Sequence, residues 1–355
     1  MTNIKVNVHN GHNWHFHDCW QITKLTTGVH LTHDDKSKAY LITLEELIYA
    51  DQSLIDQMND KSILVVFELT DISDYGIHGG RRHSYAVLEQ INTEIILVTQ
   101  NHFPLELGSH ITVIQYDLLH NRSKLYYTSN LELAQSFGFR PWYYRSDNFK
   151  IPWLPVEFVV NQIEFNSQNR TCNRSKKFLF ASYSPRAPRF SMALTLKDYQ
   201  SDGYYYFGRD FSTHELDSDA RYVPFNNTVY NDSFINVFNE TNILNGIWHK
   251  TEKTLEPIIH SQMILPLASQ GYNSYIKSCG YNIIEDLVIT PWDHIEDHGR
   301  RTDVYCENMK TVLERYSIND LNDIYYDNLK VTLDNKNNFF DTPFCRGMNE
   351  LTKYI

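Results

Sequence analysis

Two groups of residues have types and spacings that could do chemistry. The first is the stretch from Asn239 to Thr254, which ends in Thr251-Glu252-Lys253-Thr254 and includes Glu240. A lysine ammonium neutralises a phosphate, and a carboxylate accepts hydrogen bonds from ribose hydroxyls. Thr251 and Thr254 are both of the type that caps a helix, and a helix starting at either would turn unpaired amides and a positive dipole end into the preceding loop, where a diphosphate could sit. The second group is Glu68, Asp71, Asp74 and His78, which follow a buried apolar run. One of these could serve as a general base that deprotonates an attacking hydroxyl, with Glu68 and Asp71 ahead of His78. The plainer alternative is that Glu68 or Asp71 caps the next helix or pairs with Arg81 or Arg82.

The flanking sequence supplies elements to hold both groups. Residues 234–238 alternate as a half-buried strand, Leu255, Ile258 and Ile259 recur at helical spacing, and residues 263–267 read as the next strand. Around Glu68, strands are expected over 62–69, 94–99 and 111–116, with a helix over 84–91. Strand–helix–strand repetition implies a parallel sheet. A second sheet is expected from residues 178–181, 203–207, 234–238, 263–267 and a short segment near 281–287. Residues 141–155 are rich in Trp, Tyr and Pro without either periodicity, and the hinge is placed there. The expected domains are therefore 1–145 and 146–355, with the final helical segment crossing back to the first.

Composition narrows the class. The chain has 355 residues, 42% of them hydrophobic and 14% aromatic, which suits a large folded core and excludes a disordered chain. A net charge of −11 argues against a protein that grips nucleic acid over its whole surface; Arg81-Arg82, Arg170 to Lys177 and Arg300-Arg301 read first as solvated faces, with a local basic groove as the alternative. The first residues carry no signal-peptide pattern and no run reaches membrane-span length, so a cytoplasmic protein is expected. Five scattered cysteines without CxxC spacing read as reduced thiols. His15, His17, Asp18 and Cys19 are metal-ligand types, but their spacing matches no closed zinc motif. The expectation is no metal. The tyrosine clusters 143–144, 204–206 and 325–326 suit strand and core positions better than ligand stacking.

The order Glu-Thr, Gly-containing loop, Thr-Glu-Lys, helix and buried strand resembles the donor-binding motif of the α1,3-fucosyltransferases and of related phage- and giant-virus-encoded proteins. A second segment, Lys177 to Arg189, resembles that family's strand, Ser-Asn-Pro turn and following Arg, with Tyr183 where the family has Asn. The resemblance spans roughly residues 176 to 345. It implies a GT-B fold: α/β, two Rossmann-like domains facing across a cleft. It also implies metal-independent, inverting transfer of a sugar from a nucleotide diphosphate donor to a hydroxyl acceptor, with no cofactor beyond that co-substrate. By the same match Arg189 binds the donor pyrophosphate, Glu252 the ribose and Lys253 a phosphate, with residues 1–145 on the acceptor side and 146–355 binding the donor. Tyr183, inside the Ser-Pro-Arg turn, is singled out from its residue type as a nucleobase contact, and Arg186, Glu240 and Thr251 are further donor-binding candidates. The phage-like relatives suggest a hydroxymethylated DNA base or a glycan as acceptor, in the cytoplasm of a host cell. The alternative is a non-catalytic sugar- or nucleotide-binding module on the same fold.

Overall fold

A computed structural model describes residues 2–9, 23–24, 27–68, 85–100, 107–117, 120–121, 124, 165–166, 171–172, 174–182, 187–207, 227–240, 248–287, 290–343 and 345–355. The chain forms two compact units, Met1–Trp153 with Pro343–Ile355, and Leu154–Thr342. Each is α/β with a parallel sheet at its centre. Among the described residues no helix is long and apolar enough to cross a membrane.

The first unit holds β1 (Thr2–Val8), β2 (Val29–His33), β3 (Ala39–Thr43), α1 (Leu44–Ile48), α2 (Gln52–Asn59), β4 (Ile63–Glu68), β5 (Glu94–Thr99) and β6 (Ile111–Gln115). Its six strands run in the order β2-β1-β3-β4-β5-β6, all parallel. β4 and β5 are covered on both faces, which is why their sequences, ILVVFE and EIILVT, are nearly continuous apolar runs. β1, β2 and β3 were not anticipated from the sequence; exposed and buried residues are interleaved in β1 and β2. Of the helix expected over 84–91, Tyr85 and Ala86 are helical and Leu88–Gln90 form a 3-10 turn, and the Tyr85 hydroxyl donates to Glu68 at 2.7 Å. At the other end of the chain, Cys345 is pinned to Asn121 by a reciprocal pair of bonds, 2.7 and 2.9 Å, and Gly347 lies so close to the edge strand β6 that a Cβ would come within 1.7 Å of the Gln115 carbonyl oxygen.

The second unit opens with a short antiparallel pair, β7 (Phe165–Asn166) and β8 (Thr171–Cys172). It continues through β9 (Lys176–Ser182), α3 (Ala187–Leu196), β10 (Gly203–Phe207), α4 (Asn227–Asp232), β11 (Ser233–Asn239), α5 (Glu252–Ile259), β12 (Met263–Leu267), α6 (Tyr272–Ser278), α7 (His298–Arg315), α8 (Ile318–Asp327) and α9 (Leu329–Asp341). The sheet order is β10-β9-β11-β12 and every pairing is parallel. Pro266 is tolerated in β12 because that strand lies at the edge. Its free carbonyl edge is covered by side chains: Trp292 Nε1 donates to Pro266 O at 3.1 Å and Tyr305 OH to Leu265 O at 2.7 Å. Gly203 opens β10 because any Cβ there would strike the Phe178 ring, 2.5 Å away.

Several sequence expectations are corrected here. Residues 281–287 form a turn rather than a strand; their backbone is satisfied by the Asn335 side chain, which accepts from Asn282 N at 2.7 Å and donates to Asn282 O at 2.8 Å. Two members of the supposed basic patches are buried. Arg174 donates to the carbonyls of Tyr230, Ser233, His260 and Ser261 and so ties off the ends of α4 and α5, where a cation is favoured. Arg301 is fully enclosed and donates to Ile295 O at 2.6 Å. Arg81, Arg82, the 141–155 hinge and the histidine-rich opening lie outside the described residues. Tyr204, Tyr205 and Tyr325 use their hydroxyls within the fold, on Asp232, Ala193 O and Ser261 O. Cys172, Cys279, Cys306 and Cys345 are free thiols.

Candidate functional site

In the second unit the chain leaves β9 through α3 to reach β10 on one side, then starts β11 on the other side of β9. Right-handed crossovers running in opposite directions put α3 and α5 on opposite faces of the sheet. A crevice therefore opens beyond the carboxyl ends of β9 and β11, the place where open α/β sheets bind ligands. The first turns of α3 and α5 carry Arg189 and Lys253 to this edge from the two faces.

The dipeptide Asn239-Glu240, at the end of β11, links them. Asn239 Oδ1 accepts from Arg189 Nε at 3.3 Å, and its Nδ2 donates to Leu267 O at 3.1 Å. Arg189 is buried in this position. Glu240 is 1% exposed. Its Oε1 accepts from the Thr251 amide at 3.0 Å and from Tyr272 OH at 3.2 Å, its Oε2 from Thr251 Oγ1 at 2.6 Å, and Thr254 Oγ1 also donates to Oε1. Tyr272 OH and Thr254 Oγ1 are 2.7 Å apart, so either can turn its single proton to the other instead of to the carboxylate. Burial, and then the Glu240 charge, push the Tyr272 phenol well above its usual pKa, which keeps it a donor.

Thr251, rather than Thr254, is the helix cap. It is extended and its hydroxyl accepts from Lys253 N at 3.2 Å. This changes the expected role of the helix end. The amides of Thr251, Lys253 and Thr254 are all engaged within the protein, and Glu240 already sets a negative charge at the positive end of α5. Lys253 is half-buried, with its ammonium 3.5 Å from Thr251 Oγ1. Lys250, just upstream, is buried with its ammonium 3.2 Å from Tyr275 OH and 5.2 Å from the centre of that ring, an internal use.

Among the sequence-selected residues, the structure gathers Arg189, Glu240, Thr251 and Lys253 at one end of one sheet. Glu252 opens α5, though only its backbone is described. Tyr183, Arg186, Asp71 and His78 lie outside the described residues. Glu68 belongs to the first unit, at the carboxyl end of β4, and is 1% exposed. Its carboxylate accepts from Tyr85 OH at 2.7 and 2.8 Å and from Thr99 Oγ1 on the neighbouring strand. Sequence reasoning missed Asn239, Thr254 as a Glu240 ligand, and Tyr272. Thr254 lay inside the recognised motif, whereas Tyr272 is 32 residues from Glu240 and no local pattern announces it. Among the described residues no cluster of three or more His, Cys, Asp or Glu could hold a metal ion.

No protein-family model matches the chain, and no curated protein matches it. Two solved structures are similar over most of its length. One is a crystal structure of an α1,3-fucosyltransferase, 12% identical, covering 97% of this chain and 93% of that one with a TM-score of 0.46. The other is an α1,3-fucosyltransferase with GDP-fucose, also 12% identical over 97% and 93%, with a TM-score of 0.44.

Proposed function

We propose that the protein is a glycosyltransferase that takes a sugar from a nucleotide diphosphate donor and passes it, with inversion and without a metal, to a hydroxyl acceptor. The observation that carries this reading is the convergence of Arg189 and the capped Thr251-Lys253 turn on Asn239-Glu240, at the strand ends where a parallel sheet reverses its direction of winding. Two cations reaching one such edge suit the charge that develops on a departing diphosphate. The acceptor side belongs to the first unit, with Glu68, Asp71 and His78 as base candidates. A hydroxymethylated DNA base and a glycan both supply the required hydroxyl, and a cytoplasmic setting in a phage-infected cell fits either.

A thermal-shift screen over ADP, CDP, GDP and UDP tests the donor half of this reading. A ligand that binds only the native state raises Tm. A rise with one or more of the four, lost in Lys253→Ala, is the expected result; no shift with any of them at millimolar concentration would overturn the assignment.

A further inference from the structure

Glu240 was selected from the sequence as a donor contact, yet the structure encloses it. Its carboxylate faces four protein donors: the amide and hydroxyl of Thr251, the Thr254 hydroxyl and the Tyr272 phenol. These come from three separate places, the cap of α5, its first turn, and the start of α6. The backbone of Glu240 is anchored in turn to the edge strand, with Glu240 N donating to Leu267 O at 2.8 Å. The neighbouring Asn239 fixes Arg189. The capping turn that carries Lys253 is thus held to the end of β11 by a buried carboxylate whose own orientation depends on the hydroxyls of Thr254 and Tyr272.

We infer that Thr254 and Tyr272 are positioning residues for the donor site, acting through Glu240 to set the first turn of α5 and the Lys253 on it; this rests on the donor reading above. Neither needs to touch the ligand. Withdrawing a hydroxyl leaves a buried charge with fewer donors, and the turn must shift to restore them. A displacement of about 1 Å in a phosphate-binding cation is enough to cost up to about 100-fold.

The test uses the full chain and three variants, Thr254→Val, Thr254→Ser and Tyr272→Phe. Calorimetric titration with the nucleoside diphosphate that gives the largest thermal shift, run well below each variant's Tm, should show affinity reduced about tenfold or more in Thr254→Val. Thr254→Ser, which keeps the donor, should return it to within about twofold of the parent, and Tyr272→Phe should fall between. A lower Tm with parent-like affinity in Thr254→Val would mean a purely structural role and would overturn the inference, as would failure of the Ser variant to rescue. Should the parent bind none of the diphosphates, the donor reading fails by itself. Amide hydrogen exchange over 251–259 then tests the positioning link, with faster exchange in Thr254→Val expected and unchanged exchange ruling it out.

Discussion

Glu240 Oε1 and the amide of Thr251 are 3.0 Å apart, eleven residues along the chain, and this bond closes the loop between the end of β11 and the start of α5. It brings a carboxylate where a phosphate would otherwise find open helix amides. Arg189 and Lys253 are the cations placed beside this pair of residues, and the donor-site proposal gives them the first prediction.

Lys253→Ala and Arg189→Ala are each expected to remove most sugar transfer, at a cost of about 2 to 4 kcal/mol in the transition state. Circular dichroism should show an intact fold in Lys253→Ala, since that residue is only half-buried, whereas Arg189→Ala also loses its bond to Asn239 and should melt earlier. Near-parent turnover in Lys253→Ala would remove it from the donor site.

Glu68 is tied to Tyr85 and Thr99, so its replacement has two separable consequences. Glu68→Gln turns one acceptor into a donor facing hydroxyl donors, and should lower stability by about 1 to 3 kcal/mol. If Glu68 is the base, the same variant keeps nucleoside diphosphate affinity within a few-fold and loses transfer per folded molecule. Retained transfer would leave the role to Asp71 or His78.

Acid sensitivity should come in part from His260. Its ring is fully buried, stacked on Tyr230 at 4.8 Å and bonded to Asn231 Oδ1 at 3.0 Å, with Arg174 and Lys336 adding positive charge nearby. Burial first, then Lys336 and Arg174, lower its pKa from 6.5 to about 3. The unfolded chain therefore binds a proton that the native state refuses between those values. Stability is full above about pH 6.5 and is lost as pH falls toward about 3, at up to about 1.4 kcal/mol per pH unit. Urea melts at several pH values should show a shallower acid decline in His260→Gln; an unchanged slope would contradict the assignment.

Gly347→Ala should destabilise the first unit severely, because the added Cβ would overlap the Gln115 carbonyl oxygen, a backbone atom that cannot rotate away. Differential scanning calorimetry should show a clear drop in Tm, and an unchanged profile would mean that the terminal segment is not seated on β6.

Much of the framework was legible in the sequence. β4, β5, β9 and β12 were readable because a parallel strand covered on both faces must be nearly all apolar, and such runs are distinct and bounded. β11 was found by its alternation as a half-buried strand, whereas all of its residues are buried. A threonine cap at 251 or 254 was readable because capping is a local bond between residues two or three apart, and the structure selects Thr251. The tertiary structure decided the rest. It buried Arg174 and Arg301 where the sequence suggested a solvated face or a basic groove, left 281–287 out of the sheet, and enclosed Glu240 with Tyr272 from a later helix. Those outcomes depend on which crossover lands on which face and on which carbonyls and hydroxyls it leaves needing a partner. No local pattern encodes them, because the partners lie tens of residues apart and meet only when the layers pack.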